Sequence, residues 1–195
     1  MHSHSKHSQS MKIGLAIVLA AALVATGCSA QWLSVALADL PVLTQMALNI
    51  AALVATLDSG KQLSAAEGAA IQNISAEANK DLTLLQTLYN QYKTNPDNGT
   101  LQKIESVIGD MNQNLPALLQ AAHVSDATLA ARITAAVQLI LTTVNSFAQL
   151  IPHAAATTSA RTATAIKPPT TKDLKRQWNQ QVCGVNQGIE ACALR

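Results

Sequence analysis

Apolar side chains recur along this chain in steps of three and four. Ile71, Ile74, Ala78, Leu82, Leu85, Tyr89 and Tyr92 form one stripe; Leu101, Ile104, Ile108, Met111, Leu115, Leu118 and Ala122 form a second; Leu129, Ile133, Val137, Ile140, Val144, Phe147 and Ile151 form a third. Such steps return to the same face of an α-helix, so each stripe predicts an amphipathic helix that needs a partner to cover it. An earlier segment, from about Leu40 to Leu57, carries Leu40, Leu43, Ala47, Ile50, Val54 and Leu57 on its best face. It is apolar nearly all round and should be the most buried of the four. Its length and the polar Thr44, Gln45 and Asn49 argue against a membrane span, with a helix lying in the membrane surface as the alternative.

The punctuation agrees with four helices. Asp39 is placed to cap the first, with Pro41 in its opening turn, where a missing N–H costs nothing. Asp58-Ser59-Gly60 reads as a stop, Ser64 with Glu67 as a capping box, and Asn95-Pro96-Asp97-Asn98-Gly99 as a turn. Ser125 or Asp126 opens the fourth helix and Pro152 ends it, while Pro116 predicts a kink or break near Asn112 to Asn114. Short connections between helices of similar length favour antiparallel neighbours. The expected fold is all-α: an up-down-up-down antiparallel four-helix bundle over residues 39–152, followed by a low-complexity linker over 153–170 and a short disulfide-closed segment over 171–195.

Composition narrows this further. Hydrophobic residues make up 49% of the 195, but only 3% are aromatic, so the core must be largely Ala, Leu, Ile and Val. Helices with such small side chains approach closely and leave little room for a cofactor, and none is expected.

Ahead of the bundle, Lys12 precedes an uncharged run from Ile13 to Thr26, then Gly27-Cys28-Ser29-Ala30. A positive flank, a short apolar stretch and small residues at its end are the parts of a secretory signal. Residues 1–10 are rich in His and Ser and precede Met11, so translation starts at Met1 or Met11. His2, His4 and His7 suit weak metal binding, but they would leave with the signal. The stretch Val24-Ala25-Thr26-Gly27-Cys28 resembles the lipobox of bacterial lipoprotein precursors, with Ala25 where leucine is usual. The resemblance is limited to this signal. It implies a signal peptide over 1–27, lipid on Cys28, a tether over 28–38, and, from Ser29, outer-membrane sorting with the domain facing the periplasm. Cleavage after Ala30 is the alternative and gives a soluble secreted protein.

Two further cysteines, Cys183 and Cys192, are an even pair in an oxidising compartment and are expected to form a disulfide around Gly184 and Gly188. The Ala/Thr-rich stretch from Ala154 to Ala165, closing on Pro168-Pro169, reads as a linker. Thr170 or Thr171 then opens a short helix through about Val182, with Leu174 and Trp178 on one face and Trp178 as a packing anchor. Charge divides at the same place. From Cys28 to Ile151 five cations face nine anions, a net of −4; beyond it Arg161, Lys167, Lys172, Lys175, Arg176 and Arg195 face Asp173 and Glu190, a net of +4. Such a tail can dock onto the acidic body or seek an anionic envelope polymer or an envelope protein.

Catalytic chemistry finds no pattern to stand on. His123 and His153 fall near helix ends on opposite ends of the bundle and cannot share a metal. Gly60, Gly99 and Gly109 are isolated rather than parts of a phosphate loop. Glu67, Glu77, Asp81, Glu105 and Asp110 fall on polar faces, and Glu77 and Asp81 repel mildly at i, i+4. The few basic residues argue against nucleic-acid binding. The expectation is a non-enzymatic, lipid-anchored envelope protein acting as a structural or protein-interaction module. The alternatives are a carrier of a small apolar ligand or lipid and a membrane-active helical protein. No motif names a ligand or partner.

Overall fold

The long stripes become the buried faces of long helices. The computed structural model describes residues 32–57, 60–151, 168–184 and 194, and among these every regular element is helical, with no strand. Helix α1 covers 32–52 and continues as a 3₁₀ turn, Leu53–Thr56; α2 is Ala65–Thr94, α3 Asn98–Ala121, α4 Ala127–Ala148, and α5 Thr171–Trp178 with a π turn, Asn179–Cys183. Six of seven stripe residues in α4 with Ile151 beyond its end, six of seven in α2 and four of seven in α3 with Ala122 beyond its end are buried; Tyr92, Leu101 and Leu118 are half-buried.

Helix α1 departs from expectation at its start. It is already helical at Trp32, so 32–38 belongs to the core and not to a tether: Trp32, Leu33 and Ala36 are buried and continue the steps of Leu40, Leu43 and Ala47. Asp39 therefore caps nothing and is buried within the helix, and Pro41 lies in the helix interior on its exposed side. There the ring forfeits one backbone hydrogen bond, and the buried neighbours Leu40 and Leu43 hold the helix against that loss.

Two other caps form where the sequence places them, and a third, Asp97, stands where the sequence predicts only a turn. Ser64 and Glu67 make the reciprocal capping box of α2, Asp97 accepts from the Thr100 N–H at 2.8 Å to start α3, and Asp126 accepts from the Leu129 N–H at 2.8 Å to start α4. Helix α3 runs unbroken through Pro116, contrary to the expected break. Met111 and Leu115 are fully buried before the ring, and the Asn112 side chain is fixed to Asn145 of α4 by two reciprocal amide bonds of 2.9 Å.

The C-terminal segment joins the core. Thr170 caps α5 in a second capping box, and Leu174, Trp178, Val182 and Cys183 are all buried. Trp178 is fully covered, as a packing anchor should be. A single core thus takes in all five helices, with α5 and its π turn packed on α4. The linker residues 152–167 lie outside the described residues.

Side-chain contacts fix which helix ends meet. Trp32 packs edge-on against Tyr89 with ring centroids 5.6 Å apart and sits 6.2 Å from Tyr92. Farther along, the buried Ser75 hydroxyl donates to the Ala47 carbonyl at 2.7 Å. At the opposite end of α2, Lys61 pairs with Asp126 at 2.7 Å.

Candidate functional site

Polar chemistry collects at four places in the described residues. The first is a clasp between the segment before α2 and the segment before α4. Glu67 accepts from the Ser64 N–H and hydroxyl, each at 2.7 Å, and its other oxygen accepts from the Ser125 N–H at 2.7 Å. The Ser125 N–H, with the Ser64 bonds behind it, holds the Glu67 carboxyl down to about 2. Beside it the Lys61 ammonium and the Leu129 N–H depress Asp126. Glu67 was expected only to cap α2 and solvate its polar face. Its bond to Ser125, 58 residues away, makes it a staple between two connections.

The second is a pair of buried carboxylates, one in α1 and one in α2. Asp39 accepts from the Thr171 hydroxyl at 2.5 Å, tying α5 to α1, while its other oxygen has no partner. Burial pushes its carboxyl above the usual range, and the Thr171 bond offsets that only in part. Asp81, expected on a solvated face, is 5% exposed. Burial is the main reason its carboxyl is raised; the Glu77 charge adds to it, Lys80 opposes it and Asp110 adds further. Three residues after Ala78 and four before Leu85, Asp81 stands on the buried stripe beside Leu82.

The third is the aromatic end, where the Trp32 indole N–H and the Tyr89 hydroxyl are buried without a hydrogen-bond partner. The fourth is an open groove of about 500 Å³ between α4 and the start of α5, walled by Leu139, Thr142, Thr143 and Ser146 on one side and by Pro168, Pro169, Asp173, Arg176 and Gln177 on the other. Several of its polar groups are already engaged. Thr143 donates to the Leu139 carbonyl, Ser146 to the Thr143 carbonyl, and Arg176 pairs with Asp173 at 2.7 Å. The groove is open to solvent, and its lining mixes polar groups with a larger share of apolar surface.

No group of three His, Cys, Asp or Glu that could hold a metal occurs among the described residues. His123 sits just past α3, exposed, with φ of +42°, in the left-handed position that commonly ends a helix. Cys183 is buried and disulfide-bonded. Cys192, Cys28, His153 and the apolar run 13–26 lie outside the described residues. Two helices, Trp32–Thr56 and Ala127–Ala148, are long and apolar enough to cross a membrane by length and composition, and both contribute their stripes to the core. No family model, curated protein or solved structure matches the chain.

Proposed function

We propose that the chain is an exported, lipid-tethered, non-enzymatic envelope protein whose helical body is a structural or protein-interaction module. The observation that carries this reading is the lipobox-like Val24-Ala25-Thr26-Gly27-Cys28 followed, four residues after Cys28, by Trp32, the first described residue of a core helix. A lipid on Cys28 would then hold a packed domain close to a membrane with almost no slack.

The four long helices run up-down-up-down in this reading. Support comes from contacts whose numbering runs in opposite senses for α1 and α2, Trp32 with Tyr89 and Ala47 with Ser75, and from the short connection that joins α3 and α4, which also touch through Asn112 and Asn145. The Lys61–Asp126 and Glu67–Ser125 contacts bring the first and third connections to the same end. Cys183 pairs with Cys192 in this reading. In support, Asn179 and Leu194 exchange side-chain to backbone bonds of 3.2 and 3.0 Å, which returns the chain beside the π turn. The exposed Lys172 of α5 is a group that an anionic envelope polymer would meet, while Arg176 is engaged by Asp173.

Labelled palmitate fed to cells expressing the full chain tests the anchor. Label is expected in the wild-type protein and lost in Cys28→Ser; label that persists in the variant, or is missing from both, refutes the lipid tether.

A further inference from the structure

Helix α5 follows α4 only at a remove, across residues 152–167, yet it returns to the body and bridges two helices. Its apolar side, Leu174 and Trp178 with Val182 of the π turn, is fully buried, and the segment packs on α4. Its first turn reaches α1 instead, where the Thr171 hydroxyl donates to Asp39 at 2.5 Å. The apolar contact removes surface from water, while the polar one governs how well the first turn seats.

That polar contact is unbalanced. Asp39 is 1% exposed, and while one carboxyl oxygen accepts from Thr171, the other is buried with no partner. A buried carboxylate with a single donor is costly, whereas the neutral acid is far less so. Moving α5 away lets water reach both oxygens, so charge on Asp39 favours the open arrangement and a bound proton the closed one. The charged groups around it leave the second oxygen unmatched. Asp39 is the only ionisable side chain within 32–57. On α5, Lys172 is exposed, Lys175 is half-buried, and Asp173 is engaged by Thr170 and Arg176. Helix α4 carries only Arg132, which lies by Gly184 beyond the far end of α5, and on α2 Glu77, Lys80 and Asp81 act on one another. Burial is the main influence on the Asp39 carboxyl and pushes it above its ordinary 3.8, with the Thr171 bond offsetting part of the rise.

We propose that α5 is a proton-controlled latch, seated on α1 and α4 while Asp39 is neutral and opening more often once Asp39 is charged. Opening uncovers Leu174 and Trp178 together with the apolar surface they cover, so the state of one carboxyl sets how often the body presents that surface. A group whose value is raised in the closed state supports closure fully below its open-state value and loses that support as pH rises through the closed-state value. Opening therefore increases from pH 3.8 upward and levels off when Asp39 is fully charged.

Amide hydrogen exchange of the full chain, read by mass spectrometry from about pH 4 to about pH 8 and corrected for the intrinsic rate of each amide, tests the latch. Protection of residues 171–183 should fall several-fold with rising pH relative to the interior of α4, and Asp39→Asn should abolish that fall. Thr171→Val, which keeps the shape of the side chain and removes the donor, should enlarge it. A wild-type α5 whose protection stays in constant ratio to that of α4 overturns the latch, and so does a fall that persists undiminished in Asp39→Asn. If Asp39→Asn does not fold, Thr171→Val decides: a larger fall supports the latch and an unchanged one overturns it.

Discussion

Where α2 starts, the Glu67 carboxylate takes three hydrogen bonds and reaches across to Ser125; where it finishes, Trp32 and Tyr89 bury a donor each with nothing to receive it. The clasp end is held by directional, charge-assisted bonds open to water, which fix the geometry of two connections but remove little surface from solvent. At the aromatic end the balance reverses. Two large rings and their neighbours leave water, and the gain from that burial has to outweigh two unmade hydrogen bonds. One helix thus ends in two kinds of joint, one sensitive to pH and the other to side-chain volume.

The sharpest way to break the comparison is to remove volume at the aromatic end. Trp32→Ala deletes a ring that is 6% exposed and touches two tyrosines, and truncation of buried aromatic residues costs about 3–5 kcal/mol. Urea unfolding followed by circular dichroism should show a loss of that size. A loss below about 1 kcal/mol, the scale of an ordinary surface change, would mean that the start of α1 is not part of the cooperative core.

A smaller effect of opposite sign is expected at Tyr89. Its hydroxyl is buried without a partner, and burial alone pushes the phenol well above its ordinary value. Tyr89→Phe keeps the ring and removes the unsatisfied group, whose burial costs about 1–3 kcal/mol in protein mutation series. The variant should be more stable than the parent in water. If it is instead less stable, the hydroxyl has an acceptor and the contrast between the two ends weakens.

Much of this architecture was legible because the core depends on spacing. The stripe from Leu129 to Ile151 is buried at every position, and the caps at Ser64 and Asp126 act where short polar residues precede a periodic run. The start of α1 was misread because Asp39 and Pro41 together imitate a helix opening, although Leu33 and Ala36 extend the three-four steps behind them. Those two residues were the signal that α1 begins earlier. Asp81 carried the same kind of signal, standing three residues after Ala78 and four before Leu85 on the buried stripe. The reach of Glu67 to Ser125 had none, because it depends on two connections meeting across the body, a distance that the period of a single helix does not encode.

The mildest effect belongs to the clasp, and pH reveals it. Glu67 titrates at about 2 in the folded chain against an ordinary 4.5, so the folded state favours the carboxylate. For a group whose folded value is depressed, the stabilising contribution is complete above the unfolded value and is lost as pH falls toward the folded one. Unfolding midpoints should therefore decline between pH 4.5 and 2, and Glu67→Gln should flatten part of that decline. Only part, because Asp97, Asp126 and Asp173 are also depressed by their own caps and pairs and decline with it. Asp39 and Asp81 act in the other direction. Their raised values favour the folded state at low pH and withdraw that support as pH rises through them, so Asp39→Asn should shift the profile in the sense opposite to Glu67→Gln. A Glu67→Gln profile parallel to wild type across this window would mean that the bond to Ser125 does not persist in solution, and the clasp would reduce to an ordinary helix cap.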